Sequence, residues 1–350
     1  MIKVLIVDDS PVIRRLLSEA LSREPDLQVV GQARDGREAV ELARALRPDV
    51  ITLDIEMPVM DGLSALREIR RLVPRTKVIM FSTLTEKGAK ETLEALSLGA
   101  FDFVTKPKGG SLTDSLHRIR EELVPKIRAA VPAARAPVLP RPPKPPVFRP
   151  ALLRPGVYSV VGIGVSTGGP RALMEVIPRL PATFPVPILI VQHMPPLFTT
   201  QLAQNLNNRS SLRVKEATQG EPLLKGVVYI APGDYHMEVR ASGRTKHIHL
   251  HQGPPENGCR PAVDPLFRSL AEAYGGGVVG VVMTGMGHDG REGARKIKEK
   301  GGLVIAQDEK TSTVYGMPRA VVEAGLADLV LPLSEIPQKL QEIFLRKGRR

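Results

Sequence analysis

The sequence predicts an α/β protein with mainly parallel sheets, arranged as two domains joined by a tether. Three observations carry this. Residues 2–127 alternate short apolar runs with stretches of helical period. From about Tyr158 onward apolar runs recur, now with glycine-rich turns at their ends. Between the two lies a basic stretch dense in proline. The expected division is 1–127, a tether at 128–154, and 155–350.

The first domain reads as strands Lys3–Val7, Leu27–Gly31, Val50–Asp54, Val78–Ser82 and Asp102–Val104. Amphipathic patterns such as Val12–Leu21 and Gly36–Ala43 separate them. Five βα units of this length make a doubly wound, flavodoxin-like parallel sheet. Chemistry collects at the strand C-termini. Asp8 and Asp9 end the first strand and Asp54 the third, Thr83 follows the fourth, and Lys106 follows the fifth before Pro107. Crowding carboxylates at one sheet edge costs roughly 4 kcal/mol per pair at 4 Å and an effective dielectric near 20. A divalent cation removes that repulsion, and oxygen ligands with open water positions suit Mg²⁺. A single strand-end aspartate reads as a solvated loop charge, but five chemistry-bearing residues on four strands do not.

With the run Thr52-Leu-Asp-Ile-Glu-Met-Pro-Val-Met-Asp-Gly62, this constellation resembles a response-regulator receiver domain. The resemblance implies that Asp54 accepts a phosphoryl group and that Asp8, Asp9, Asp54 and the Glu56 carbonyl hold Mg²⁺. It further implies that Thr83 and Lys106 contact the phosphoryl group, with Phe103 at the aromatic switch position.

From Val131 to Ala151 proline recurs too densely for helix or sheet and favours an extended, semi-rigid spacer. Such a segment also suits a proline-binding domain, but a spacer is the plainer reading. It would keep the two domains at high effective concentration, so the unphosphorylated first domain is expected to inhibit the second. The net charge of +12 suggests nucleic acid at first sight. However, residues 1–125 sum to −1, residues 126–155 to +7 and residues 156–350 to +6, four of these last positives being Arg346, Lys347, Arg349 and Arg350. The excess sits in the spacer and the tail, which favours an acidic protein partner over DNA or RNA.

In the second domain Ser166 lies in Gly162-Ile-Gly-Val-Ser-Thr-Gly-Gly169, between the strand-like Tyr158–Gly164 and the helical run Arg171–Ile177. Gly164-Val-Ser-Thr-Gly168 matches the G-x-S-x-G nucleophile elbow. A dinucleotide loop is the weaker reading, because Thr167 stands where the third glycine is needed. His193 ends the run Pro187-Ile-Leu-Ile-Val-Gln-His, and Asp289 follows Val278–Gly287. All three lie past the C-terminal ends of apolar strands, where open parallel sheets gather ligands. The order Ser, His, Asp differs from that of α/β-hydrolases.

These segments, with Gln192-His-Met-Pro-Pro196, Tyr229-Ile-Ala-Pro-Gly-Asp-Tyr-His-Met237, Thr284-Gly-Met-Gly-His-Asp-Gly290 and Gly316-Met-Pro-Arg319, resemble the chemotaxis protein-glutamate methylesterase (CheB) family. Val165 and His288 replace the more usual alanine and asparagine. The resemblance implies a Ser166–His193–Asp289 triad with the backbone N–H groups of Thr167 and Met286 as oxyanion donors. It implies hydrolysis of glutamate γ-methyl esters on chemoreceptors, releasing methanol, with deamidation of receptor glutamines as a related acyl transfer. Its partners are then methylated chemoreceptors and a chemotaxis histidine kinase, with Mg²⁺ serving the receiver and no cofactor the hydrolysis.

The remaining signals read blandly. Cys259, the single cysteine, fits a reducing cytoplasm and is expected in a loop without a partner base. No apolar run is of membrane-spanning length, and the opening Met1–Asp9, too short and too acidic at its end, is not expected to act as a signal peptide. His247, His249 and His251 share a strand face that could invite zinc, but no cysteine or carboxylate accompanies them at matching spacing, so a solvated face is expected. His236 and His288 are candidates to tune the triad. Met194, Met283 and Met286 are expected in core and pocket walls. A DNA-binding response regulator is disfavoured, because the second half shows no helix-turn-helix pattern. A catalytically idle phosphoryl sink would not need the three triad residues.

Overall fold

The computed structural model describes residues 1–107, 111–131, 157–243 and 245–345, and they form two compact units dividing between Pro140 and Arg141. The spacer beyond Val131 and the basic tail Arg346–Arg350 lie outside the described residues.

In the first unit, strands β1 (Ile2–Val7), β2 (Leu27–Ala33), β3 (Val50–Asp54), β4 (Lys77–Ser82) and β5 (Asp102–Thr105) form one sheet. Helices α1 (Pro11–Ser22), α2 (Gly36–Leu46), α3 (Gly62–Leu72), α4 (Glu86–Ser97) and α5 (Leu112–Ala130) alternate with them. The strand order is β2-β1-β3-β4-β5, all parallel. The helices start where side chains satisfy their first N–H groups: Ser10, Asp35, Asp61 and Thr85 each accept from the opening turn. Ser111 and Asp114 form a capping box on α5. This helix runs to Ala130, past the expected boundary at 127 and through Pro125. The bond lost at the proline is offset because Leu123, Val124, Ile127 and Ala130 are all buried.

The second unit carries β6 (Val160–Val165), β7 (Ile188–Gln192), β8 (Arg213–Glu216), β9 (Val227–Ile230), β10 (His236–Ser242) and β11 (Thr245–His251). After these come β12 (Val278–Val282), β13 (Leu303–Gln307) and β14 (Leu329–Leu331). Its helices are α6 (Gly169–Val176), α7 (Phe198–Arg209), α8 (Val263–Tyr274), α9 (Arg291–Glu299), α10 (Met317–Glu323) and α11 (Ile336–Leu345). Seven strands form a parallel sheet ordered β14-β13-β12-β6-β7-β9-β8, while β10 and β11 pair separately as an antiparallel ribbon. The central strands are buried throughout, which explains their unbroken apolar runs.

Two glycines set the position of α8. Gly162 on β6 and Gly280 on β12 are register partners. A methyl group at Gly162 would come within 3.0 Å of the Phe267 ring. The two glycines leave a notch that Phe267 of α8 fills, and this seats the N-terminus of α8 at the sheet edge.

Candidate functional site

The chain runs outward in both directions from β6, so the sheet has a switch point there. Ser166 follows β6, and His193 follows β7 in adjacent register, its N–H donating to Val165 O at 3.2 Å. The loop after β12 brings Asp289 across, and His193 Nε2 lies 2.7 Å from Asp289 Oδ2. Three neighbouring strands thus each deliver one of the three predicted residues.

The turn at Ser166 is built by its neighbours. The left-handed residue is Gly168, with φ of +79°, and the serine itself is not among the described residues with positive φ. The strain thus falls on a glycine. Ser166 N–H donates to Thr284 O at 3.0 Å, and Thr284 Oγ1 donates to Thr167 O at 2.9 Å. Gln192 Nε2 donates to Ser166 O at 3.0 Å. Gly285 O accepts from Gly316 and Met317 at the start of α10. This holds the Gly285–Gly287 loop over the serine: a methyl at Gly285 would sit 2.8 Å from Ser166 Cβ. Of the two expected oxyanion donors, Thr167 follows Ser166 on its own turn and Met286 follows Gly285 on the neighbouring loop.

Asp289 is 2% exposed and accepts five hydrogen bonds. Oδ2 receives His193 Nε2 and the Val263 N–H at 2.6 Å. Oδ1 receives Asn257 Nδ2 at 2.9 Å, Asp264 N–H at 3.1 Å and Gly290 N–H at 2.9 Å. Two of these donors are the first N–H groups of α8, whose own N-cap, Ala262, offers no side-chain acceptor. Asp289 therefore caps α8 from another loop, and the helix terminus favours its charge. Burial pushes its pKa up, but the hydrogen bonds and charge of His193 and the α8 N–H groups outweigh this and hold it below the usual carboxylate range. Burial pulls His193 down, yet Asp289, with Cys259 beside the ring, raises it above the ordinary imidazole range.

Cys259 sits in a loop turn as expected, but His193 is a neighbouring base that the sequence did not show. The contact joins residues far apart in sequence, and the local signal of the Asn257-Gly258 turn conceals it. His236 is buried with both ring nitrogens engaged, Nδ1 accepting from Ala262 N–H and Nε2 donating to Pro254 O, so it supports the start of α8. His288 is exposed. His247 and His249 make separate contacts, with Gly220 and Thr245 and with Gln219 respectively. His251 accepts from Gly253 N–H and faces Glu238 at 3.5 Å. Among the described residues the three do not converge as a metal group. Met194 and Met283 are core, and Met286 is half-buried. Sequence reasoning missed Gln192, Asn257, Asp264 and Thr284 as supports; only Asn257-Gly258, as a turn signal, hinted at one of them.

In the first unit, β1 and β3 bring ligand atoms of Asp8, Asp9 and Asp54 within 4.8 Å of one another. Asp8 is 0% and Asp54 3% exposed. Lys106 Nζ bridges them, 2.7 Å from Asp8 Oδ2 and 2.8 Å from Asp54 Oδ2, and Ile55 N–H donates to Asp54 Oδ1. The Glu56 side chain accepts from Lys87 Nζ at 2.6 Å. Asp9, Ile55, Glu56 and Lys87 line a cavity of about 560 Å³. Thr83 Oγ1 lies 3.3 Å from Thr85 Oγ1. Phe103 is a buried β5 residue whose ring stacks under Lys126 Nζ at 5.2 Å. One lysine against three carboxylates leaves excess negative charge, and all the donors are oxygen, so the residues fit a hard divalent cation.

Burial pushes the Asp54 pKa up to about 6; Lys106 opposes this and the Asp8 charge adds to it. A folded-state pKa above the unfolded value of about 4 means that stability from this group declines as pH rises between those values. A cation would offset that loss only once the proton is gone. Mg²⁺ is thus expected to raise the first unit's unfolding midpoint clearly at pH 7.5 and much less at pH 5. Equal shifts at both pH values in calorimetry would count against the three-carboxylate site.

The family model described as CheB methylesterase matches residues 161–340, and that described as response regulator receiver domain matches residues 4–117. The chain is 49% identical to a protein-glutamate methylesterase/protein-glutamine glutaminase of a Nocardioides species, covering 98% of this chain and 95% of that protein. Identity to the one from Thermotoga maritima is 48%, covering 98% of each. The crystal structure of the Thermotoga maritima CheB methylesterase catalytic domain matches with a TM-score of 0.53 and 49% identity, covering 53% of this chain and 98% of that one.

Proposed function

The chain belongs to the CheB methylesterase family, and from that premise we propose that it hydrolyses glutamate γ-methyl esters on chemoreceptors under control of a phosphorylatable receiver. The observation that supports this best is the His193–Asp289 pair at 2.7 Å, at the sheet edge where Ser166 also emerges. In this reading Ser166 Oγ attacks the ester carbonyl carbon while His193 takes its proton. Pairing through Nε2 leaves Nδ1 to receive that proton. The carbonyl oxygen becomes an oxyanion facing the N–H groups of Thr167 and Met286. Collapse expels methoxide, which takes the proton from His193 and leaves as methanol. Water then attacks the acyl-enzyme, with His193 again as base, and releases glutamate. With a glutamine substrate the same route expels ammonia.

In the receiver, Asp54 would accept the phosphoryl group from a histidine kinase, with Lys106 and Thr83 placed to contact it. Asp8, Asp9, Asp54 and the Glu56 carbonyl would hold Mg²⁺, which supplies charge neutralisation for the transfer. We place this work in the cytoplasm, with adaptation of chemotactic signalling as its outcome. Among the described residues no helix is long and apolar enough to cross a membrane.

Because His193 must be neutral to act as base, its raised pKa moves the acid limb of kcat/KM above the ordinary imidazole value of about 6.5. Activity should keep rising from pH 7 into the mildly alkaline range. A plateau reached already at pH 6 would oppose the assignment of His193 as the base. The overall reading is tested by methanol release from methylated receptor membranes with and without a small-molecule phosphodonor. Absence of methanol under both conditions would refute it.

A further inference from the structure

The segment between β11 and α8 makes a tight turn at the triad. Glu256 N–H donates to Cys259 O at 3.1 Å and Cys259 N–H to Glu256 O at 2.9 Å. The enclosed Asn257 and Gly258 have φ of +53° and +75°, a pair of left-handed residues that Asn-Gly adopts readily. The turn is anchored on both flanks. Glu256 pairs with Arg268 of α8 at 2.6 Å, and Arg260 pairs with Asp234 at 2.6 Å while donating to the carbonyls of Gln252 and Gly253. The Cys259 thiol lies against His193.

From this turn the exposed Asn257 reaches inward to two buried carboxylates. Its Nδ2 donates to Asp289 Oδ1 and to Asp264 Oδ2, both at 2.9 Å. Asp264 is 3% exposed, and its other oxygen accepts Gly293 N–H at 2.7 Å. Two carboxylates sharing a dry site repel, and an amide NH₂ has one hydrogen for each. Of the five donors on Asp289, all among the described residues, Asn257 is the one that also binds a second acid.

We propose that Asn257 is a positioning residue for the ester hydrolysis: its amide ties Asp289 to Asp264, and so fixes the carboxylate that orients His193. This rests on the triad reading. Burial raises Asp264, and the Asp289 charge adds to that rise, so the bridge acts where repulsion is largest. The other ionisable groups facing this point are His193 after β7, Cys259 and Glu256 of the turn, and Arg268 of α8. Behind Ala262 stands His236 of β10, with the Arg260–Asp234 pair beside the turn. Loss of the amide leaves Asp289 more basic, which holds the His193 proton more tightly.

The test compares full-length Asn257→Gly, Asn257→Asp and Ser166→Ala with the parent. Glycine keeps the left-handed backbone and removes only the amide; aspartate keeps the shape and adds a third carboxylate. Asn257→Gly should lower kcat about 10-fold, with KM within about twofold, as loss of one hydrogen bond to a charged group implies. Its acid limb should move to higher pH, and that of Asn257→Asp should move further. An unchanged kcat in Asn257→Gly, beside an inactive Ser166→Ala, overturns the proposal and leaves the triad standing. A lower kcat with an unmoved acid limb also overturns it, because a merely loosened turn would behave so. An active Ser166→Ala would bring down the triad reading and this inference together.

Discussion

Ser166→Ala should cut methanol release from methylated receptors by at least about a thousandfold, as loss of a nucleophile does in serine hydrolases. Its unfolding midpoint should hardly change. The side chain is only half-buried, and the turn is held by backbone atoms through Thr284, Gln192 and Gly168 rather than by the hydroxyl. His193→Ala should be equally inactive, and the double variant Ser166→Ala/His193→Ala should lose little more, since the residues act as a unit. Asp289→Ala is a different case. It deprives Val263, Asp264 and Gly290 of their buried acceptor, at about 1–3 kcal/mol for each unsatisfied group. That variant should lose both activity and several degrees of thermal stability. A Ser166→Ala protein that still releases methanol at near-parental rate would refute the nucleophile. An Asp289→Ala protein as stable as the parent would refute its second role as the cap of α8.

The second large effect concerns Asp54. The parent should incorporate phosphate from acetyl phosphate when Mg²⁺ is present, and incorporation should vanish in Asp54→Asn and on addition of EDTA. Asp54 meets the needs of an acceptor: it ends β3, it touches Lys106, and two further carboxylates lie within reach of a shared cation. In the activity assay, phosphodonor should stimulate the parent and leave Asp54→Asn at its basal rate. Such stimulation is the expected sign of relieved inhibition across a short proline-rich tether. Labelling that persists in Asp54→Asn would remove this residue as the acceptor.

Much of this protein was legible along the chain, because the relevant physics is local. Apolar runs of strand length, helical periodicity and proline density report backbone states within a few residues. They foretold two parallel α/β sheets, while the spacer they also suggest lies outside the described residues. The acids at strand ends and the glycine turn at Ser166 were legible for the same reason, since residue type and the end of a strand can be read together. The overrun of α5 through Pro125 was not, because burial of Leu123, Ile127 and Ala130 overrides the local signal. Nor was the support around the triad. Asp289 as a helix cap, Cys259 against His193 and Asn257 between two carboxylates are contacts between segments far apart in sequence. Such pairs have no spacing to read; they form only once Phe267 seats α8 in the Gly162–Gly280 notch and brings its N-terminus to the β12 loop. The same limit applies to the three histidines of β11. Their shared strand face was readable, whereas their commitment to separate partners depended on the chain segments folded around the ribbon.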